Sequence, residues 1–181
     1  MRLFTAIELS PEAEQRVKEV QSRLKQQLKC RSWQSLENLH ITLNFLGDAD
    51  EASVEQLLKE LSPAIERFHP FQLGLRKLGV FPHEQRPRII YLGVGGETQR
   101  LQEMQKSLAT VLTHYGYGEA DKTYTPHITL AREPQGTVDL SSLNGELPDE
   151  VNWLVDRVTV FQSEFHSGRA VHTILQQSLL K

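Results

Sequence analysis

The tetrapeptide His-Ile-Thr-Leu occurs twice in the chain, at residues 40–43 and again at residues 127–130. The first copy lies within NLHITLNFLG, residues 38–47, and the second within TPHITLAR, residues 125–132. Because side chains alternate between the two faces of a β-strand, each copy presents its histidine and its threonine on one face. Packing alone explains such a repeated pair poorly. We therefore predict two matched strands and a functional site built from His40, Thr42, His127 and Thr129.

The segments around the motifs alternate between strand and helix patterns. Apolar residues with a period of two predict strands at Arg2–Leu9, Arg31–Trp33, His40–Leu46, Phe71–Phe81, Arg88–Val94, Tyr124–Arg132, Trp153–Phe165 and Ala170–Leu179. Helical spacing predicts helices at Ser10–Leu28, Asp50–Phe68 and Glu97–Tyr115. Ser62-Pro63 indicates a break or restart of the second helix, and Glu133–Asp149 is typical of a loop.

The first motif strand has a predicted inner and outer face. Strict alternation places Ile41, Leu43 and Phe45 on the face opposite to His40, Thr42 and Asn44.

Strand, helix and motif strand follow one another in each half of the chain, although the halves share little sequence outside the motif. This order predicts an α+β fold of two lobes with approximate internal two-fold symmetry. The two motif strands can then lie side by side at the symmetry axis and bring the four polar side chains into one concave site. We interpret residues 1–181 as a single domain.

Composition and charge limit the classes of protein that need to be considered. The single Cys30 allows neither an internal disulfide nor a cysteine pair for zinc, which is typical of a reducing compartment. Glu8 interrupts the first apolar run, so we predict no signal peptide and no membrane span, and we expect a cytoplasmic protein. The net charge of −3 argues against wrapping of long nucleic acid, but it leaves binding of a small or terminal phosphate open.

Other kinds of site find less support. Neither motif has a nearby cluster of metal ligands, so we expect no metal and no cofactor. The segment Gly93-Val94-Gly95-Gly96 resembles a dinucleotide-binding turn, but Glu97 would repel a pyrophosphate, so we interpret it as a helix-entry turn. Cys30 lacks the neighbours of a catalytic nucleophile. We expect the remaining histidines to be surface residues: His69, His83, His114, His166 and His172.

Two histidines and two threonines suit displacement at phosphorus. Imidazole has an ordinary pKa of about 6.5, so one ring of a pair can accept a proton while the other donates one near neutral pH. An attacking water must lose a proton while the leaving alkoxide gains one. Threonine hydroxyls can donate hydrogen bonds to the non-bridging oxygens as negative charge grows on them. A cyclic phosphodiester fits this geometry.

Both motifs match the paired His-x-Thr-hydrophobic signature of the 2H phosphoesterase superfamily. The segments RLFTAIEL, NLHITLNFLG, TPHITLAR and SEFHSGRAVHTIL resemble the bacterial and archaeal RNA 2′,3′-cyclic phosphodiesterases, which are also described as 2′-5′ RNA ligases. The resemblance covers nearly the whole chain. It implies a bilobal α+β fold, with two antiparallel sheets and outer helices, in which each lobe contributes one motif to a central, metal-free cleft.

The resemblance also implies roles for individual residues. It assigns His40 as proton donor, His127 as proton acceptor, and Thr42 and Thr129 as phosphate-binding residues. Family members often carry a basic residue after the second motif, so Arg132 is a further candidate for phosphate binding. Phe45 and Tyr124 are candidates for the cleft wall or for contact with a base.

The activity implied by the resemblance is hydrolysis of a terminal 2′,3′-cyclic phosphate to a 2′-phosphomonoester. The reverse reaction would join such an end to a 5′-hydroxyl as a 2′-5′ bond. We expect the partners to be RNA ends or nucleotides that bear the cyclic phosphate, and we expect a monomer with no membrane contact and no obligate protein partner. Two alternatives stay open: a phosphodiesterase for 2′-5′ oligonucleotides or small cyclic nucleotides, and a non-catalytic module that binds RNA ends.

Overall fold

The computed structural model describes residues 1–117, 123–145 and 151–181. Its strands are β1 (Arg2–Glu8), β2 (Cys30–Trp33), β3 (His40–Asp48), β4 (Phe71–Phe81), β5 (Ile89–Gly96), β6 (His127–Pro134), β7 (Asn152–Val155), β8 (Arg157–His166) and β9 (Arg169–Leu179). Its α-helices are α1 (Pro11–Gln27), α2 (Glu51–Glu66), α3 (Thr98–His114) and α4 (Leu140–Gly145). A short 3₁₀ helix, Leu36–Asn38, precedes β3.

The strands form two antiparallel sheets, and each sheet holds one motif strand. The first sheet has the order β3-β1-β8-β9, and the second has the order β2-β6-β5-β4-β7. Helices α2 and α3 pack against each other and contact strands of the first sheet, whereas α1 and α4 contact strands of the second. One continuous hydrophobic core joins these layers. The short edge strand predicted near Arg31–Trp33 is confirmed as β2.

The first long helix shows how the sequence sets its own boundaries. The Ser10 Oγ accepts a hydrogen bond from the Ala13 N–H at 3.2 Å, and Pro11 occupies the first turn, where its missing N–H costs nothing. The buried stripe of α1 is apolar except for one glutamine, and it consists of Ala13, Val17, Val20, Gln21 and Leu24. That glutamine has a structural role near the second motif.

The chain passes between the sheets more often than the sequence halves predict. Trp153–Phe165, predicted as one strand, is two: β7 lies in the second sheet and β8 in the first, and the chain crosses between them at Asp156. The apolar residues of β7 and β8 follow each other closely in the sequence, so the two strands resemble one longer strand. The passage of the chain from one sheet to the other does not change this hydrophobic pattern. Each sheet therefore contains strands from both halves of the chain.

Two local predictions were wrong. Helix α2 continues through Pro63. The carbonyl that loses its partner to the proline is that of Lys59, four residues earlier, and Lys59 is exposed to solvent. The predicted loop Glu133–Asp149 contains the end of β6 and helix α4, while its residues 146–149 lie outside the described part of the chain.

None of the helices in the described segments is long and apolar enough to cross a membrane.

Candidate active site

The two motif strands belong to different sheets but contact each other. Strand β3 forms an edge of the first sheet. It contacts β6, which belongs to the second sheet. The Tyr124 hydroxyl, just before β6, donates a hydrogen bond to the Thr42 carbonyl in β3 at 2.9 Å. Burial raises the pKa of Tyr124 and encloses most of its ring, which leaves little of it for a base. Tyr124 is therefore a brace between the motifs.

A β-bulge in β3 changes which residues share a face with His40. Thr42 pairs with Ala6, and Asn44 pairs with Thr5, so Leu43 is an extra residue in the strand. The Asn44 N–H donates to the buried Thr5 Oγ1 at 3.1 Å, which satisfies the backbone beside the bulge.

The bulge corrects the predicted faces of this strand. Asn44 is buried, whereas Phe45 is 70% exposed and lies on the face that carries His40 and Thr42. The prediction that Phe45 points to the opposite, inner face was therefore wrong. Its ring centroid is 6.1 Å from that of Phe4, beside the first motif.

Strand β6 has a bulge at the matching position. Thr129 pairs with Tyr91, and Ala131 pairs with Ile90, so Leu130 is the extra residue. The Leu130 carbonyl accepts hydrogen bonds from the Gln34 N–H at 2.8 Å and from the buried Gln21 side chain at 3.0 Å. The polar residue in the apolar stripe of α1 thus stabilises this bulge.

The second bulge places Arg132 on the face of His127 and Thr129, although strict alternation would put it on the other face. The Arg132 guanidinium lies close enough to lower the pKa of both motif histidines. Phe45 and Arg132 each follow their motif histidine by the same number of residues, so they occupy equivalent positions in the two halves of the site.

His40 is fixed in one tautomer by its neighbours. Its Nδ1–H donates to the Asn38 carbonyl at 2.8 Å, because a carbonyl can only accept. Its Nε2 lies 3.0 Å from the Thr42 Oγ1 and accepts the hydroxyl proton while the ring is neutral. Burial, together with the charges of neighbouring cationic groups, lowers the pKa of His40 to about 4. The Phe4 ring covers one side, with centroids 4.8 Å apart.

His127 has a similar hydrogen bond but different surroundings. Its Nδ1–H donates to the Thr125 carbonyl at 2.7 Å, which leaves Nε2 free of its proton in the neutral ring. The rings of Phe81 and Tyr91 meet it edge-on, with centroids 5.1 Å and 5.3 Å away. Burial, and then the Arg132 charge, lower the pKa of His127. Both motif histidines are therefore neutral near pH 7 in the free protein.

A third histidine lies at the site and was missed. The His172 ring meets the His40 ring edge-on at 5.5 Å, and burial lowers its pKa. The prediction that His172 is a surface residue was wrong, because its strand β9 carries it on the same face as Phe161 and Phe4. The sequence did contain a signal: His172 and Ile174 are two residues apart, so they lie on the same face of the strand. The other four, predicted as surface residues, are exposed: His69, His83, His114 and His166.

The remaining candidates lie apart from the site or have other roles. Gly93–Gly96 belong to strand β5 rather than to a helix-entry turn. Gly96 has a φ of 86°, which favours glycine, and helix α3 begins at Thr98. Among the residues that the structure describes, no three His, Cys, Asp or Glu side chains are grouped as metal ligands.

Comparisons with known proteins agree with this geometry. The model of the 2′-5′ RNA ligase superfamily matches residues 9–165. The RNA 2′,3′-cyclic phosphodiesterase of Thermotoga maritima is 33% identical over 180 residues, which cover 98% of this chain and 94% of that protein. The structure of E. coli LigT complexed with 3′-AMP is similar, with a TM-score of 0.82, 25% identity, and coverage of 99% and 97% of the two chains. TT0787 of Thermus thermophilus gives a TM-score of 0.80 and 26% identity, with coverage of 99% and 97%. The predicted fold class is thereby confirmed.

Proposed function

Since the chain belongs to the 2′-5′ RNA ligase superfamily, we propose that it is an RNA 2′,3′-cyclic phosphodiesterase that forms a 2′-phosphomonoester. The observation that carries the proposal is the convergence of two bulged motif strands, each with a histidine and a threonine on one face. The named activity of the Thermotoga maritima relative, which matches nearly the full chain, supports it. The complex of LigT with 3′-AMP shows that a protein of this fold holds a nucleotide.

In the proposed reaction, His127 is the base and His40 is the acid. The unprotonated Nε2 of His127 accepts a proton from the attacking water as the new P–O bond forms. The bond from phosphorus to the ribose O3′ breaks, and His40 Nε2 donates its proton to that oxygen. The product carries the phosphate on O2′. Burial and then the Arg132 charge favour the neutral form of His127 that a base requires, although Arg132 lowers the pKa of His40 as well.

Thr42 and His40 are coupled through their hydrogen bond. When His40 gains a proton at Nε2, that nitrogen no longer accepts the hydroxyl proton of Thr42, and its N–H serves the leaving O3′. The hydroxyl proton of Thr42 is then released to bond a non-bridging phosphate oxygen. Thr129 offers a second hydroxyl and Arg132 a guanidinium to the same group. Phe45, exposed beside the first motif, is a candidate for contact with a base.

The same transition state serves both directions, so the proposal includes slow joining of a cyclic end to a 5′-hydroxyl as a 2′-5′ bond. We propose that the protein acts as a monomer in the cytoplasm, on RNA ends or nucleotides, without a metal or an obligate partner. The lone Cys30 and the net charge of −3 are consistent with that setting.

One assay tests the reaction. The protein is incubated with an RNA oligonucleotide that ends in a 2′,3′-cyclic phosphate, in excess EDTA, and ³¹P NMR identifies the monoester. We expect a 2′-monoester and near-complete loss of activity in His127→Ala. The control is His114→Ala, which replaces an exposed histidine at the end of α3 and should have normal activity. A 3′-monoester, or activity that returns only with a divalent ion, contradicts the proposal.

A second assay tests the acid and base assignment. A phosphodiester with a nitrophenyl leaving group needs no proton on departure, so it should rescue His40→Ala more than His127→Ala. Greater rescue of His127→Ala reverses the assignment.

A further inference from the structure

The first sheet carries an apolar row on the face that holds His40. Strand register places Phe4 between Phe45 on β3 and Phe161 on β8, and Phe161 pairs with Ile174 on β9. Directly paired residues point to the same side of a sheet. Ring contacts confirm the side, because Phe4 lies 5.2 Å from Phe161 and 4.8 Å from His40 between centroids. The row crosses all four strands and adjoins the first motif.

Much of this row is open to solvent. Phe45 is 70% exposed and Ile174 is 48% exposed, whereas Phe4 beneath them is 4% exposed. Farther along β8, Phe165 is on the same face as Phe161 and is 66% exposed. Contiguous exposed apolar side chains on one sheet face mark a binding surface more often than scattered ones do.

A polar row that contains Arg2 separates Phe165 from the apolar row. Register places Arg2, Ser163 and His172 next to one another on β1, β8 and β9, with Asp48 at the β3 end of the same row. Beyond it, Phe165 pairs with Ala170 near the tip of the β8–β9 hairpin. Along β8 the face therefore presents an aromatic residue, then a polar row that contains the Arg2 cation, then a second aromatic residue.

This alternation matches the chemistry of single-stranded RNA. Bases stack on aromatic side chains, and cations meet the phosphates that link them. Phe161 and Phe165 are four residues apart, or about 13 Å along an extended strand. A mononucleotide bound at His40 leaves Phe165 uncovered, whereas a chain of a few nucleotides reaches it.

We propose that this face binds the nucleotides that precede the cyclic phosphate, so that the preferred substrate is an RNA oligonucleotide rather than a mononucleotide. This inference rests on the proposed function. One base covers the row that contains Phe161, the next phosphate contacts Arg2, and the preceding base stacks on Phe165. Continuity with His40 and the Arg2 cation between two aromatic positions favour RNA over a second copy of the chain as the occupant.

The test compares hydrolysis of adenosine 2′,3′-cyclic phosphate and of a pentanucleotide that ends in the same group. Stacking of one base on an aromatic side chain contributes on the order of 5- to 150-fold in affinity. We expect Phe165→Ala to lower kcat/KM for the pentanucleotide by roughly that factor and to leave the mononucleotide unaffected. The matched control is Leu154→Ala, an apolar residue that is 54% exposed on β7 of the other sheet, and it should change neither.

Salt dependence provides a second readout that does not need turnover. Fluorescence anisotropy follows binding of a labelled pentanucleotide with a 3′-terminal phosphate as the salt concentration rises. Loss of one phosphate contact in Arg2→Gln should reduce the slope of log K against log salt by about 0.7.

Two outcomes overturn the inference, and a third separates it from the proposed hydrolysis. An unchanged ratio between the two substrates in Phe165→Ala, with an unchanged salt slope in Arg2→Gln, shows that RNA does not cross this face. A dimer that Phe165→Ala converts to a monomer, with the ratio unchanged, assigns the face to a second copy. If neither substrate is hydrolysed but Phe165→Ala weakens pentanucleotide binding, the proposed hydrolysis fails while the RNA surface stands.

Discussion

Binding of a phosphodiester anion should load a proton onto His40. With a pKa of about 4, roughly one His40 ring in a thousand is protonated at pH 7 in the free protein. The proposed acid must carry a proton when the leaving oxygen departs. A bound phosphodiester anion can stabilise the protonated His40 ring. Substrate binding and proton uptake by His40 should therefore occur together.

The size of this effect follows from Coulomb's law. A charge pair about 4 Å apart interacts by about 4 kcal/mol at an effective dielectric constant of 20. At 1.36 kcal/mol for each pKa unit, an anion in contact with the ring raises the pKa of His40 by about 3 units, to about 7. The expected uptake by this residue is about 0.9 proton at pH 6, about 0.5 at pH 7 and about 0.1 at pH 8.

Isothermal titration calorimetry in buffers of different ionisation enthalpy measures the uptake. A suitable ligand is a 2′-deoxynucleoside 3′-(methyl phosphate), which cannot cyclise and stays a monoanion over this pH range. His127 and His172 can also take up protons, because their pKa values are lowered. The difference between the wild type and His40→Asn isolates the contribution of His40, and His114→Asn serves as the control. Equal uptake in the wild type and His40→Asn refutes the reasoning.

The same pKa acts on folding in the absence of ligand. The folded-state pKa of His40, about 4, lies below the ordinary value of 6.5, so the unfolded chain binds the proton more tightly. The free energy of unfolding should therefore fall as the pH drops from about 6.5 to about 4, by about 3 kcal/mol from this residue. Urea unfolding at several pH values should show a smaller fall in His40→Asn than in the wild type. An identical pH dependence in both proteins contradicts the burial argument.

Further substitutions test how the site is held. Thr42→Ala and Thr129→Ala should each lower kcat by about 10- to 1000-fold in steady-state assays, because each removes a hydrogen-bond donor to the transition state. The thermal midpoint should change little. A normal kcat in both variants contradicts the proposed role of the threonines in phosphate binding. Tyr124→Phe removes the hydrogen bond to the Thr42 carbonyl and should lower kcat more than it raises KM. The control is Tyr117→Phe, which removes the hydrogen bond from the Asp50 N–H and should leave kcat unchanged. Equal kinetics in the two variants contradict the bracing role of Tyr124. Thr5→Val should cost about 1–3 kcal/mol in urea unfolding, since the Asn44 N–H beside the bulge loses its partner, and an unchanged midpoint contradicts that account.

Much of the fold followed from local patterns in the sequence. Both motif strands and the three long helices lie where periodicity predicts them. The predicted strand Ala170–Leu179 is confirmed as β9, and the turn that joins it to β8 has positive φ at Ser167 and Gly168, 51° and 80°, which suits a two-residue connection. These features depend on neighbours in sequence, so a single chain is enough to find them.

The parts that escaped prediction depend on residues far apart in sequence. The bulges at Leu43 and Leu130 leave an apolar pattern that looks like regular strand, and only their distant partners reveal them. Thr5 and Gln21, polar residues at buried positions, were the signals that the backbone nearby needs extra partners. Placement of His172 beside His40 likewise depends on β8 and β9 joining the first sheet, which the order of the chain does not specify.

The same tetrapeptide can serve two opposite roles because its surroundings differ. His40 lies deeper, beside Phe4, and burial lowers its pKa to about 4 despite the hydrogen bond to the Asn38 carbonyl. His127 lies beside Arg132, whose charge opposes protonation directly. The equivalent position after the first motif holds Phe45, which contributes no charge. Arg132 also lowers the pKa of His40, so the proposed division into acid and base depends on which ring the bound anion contacts.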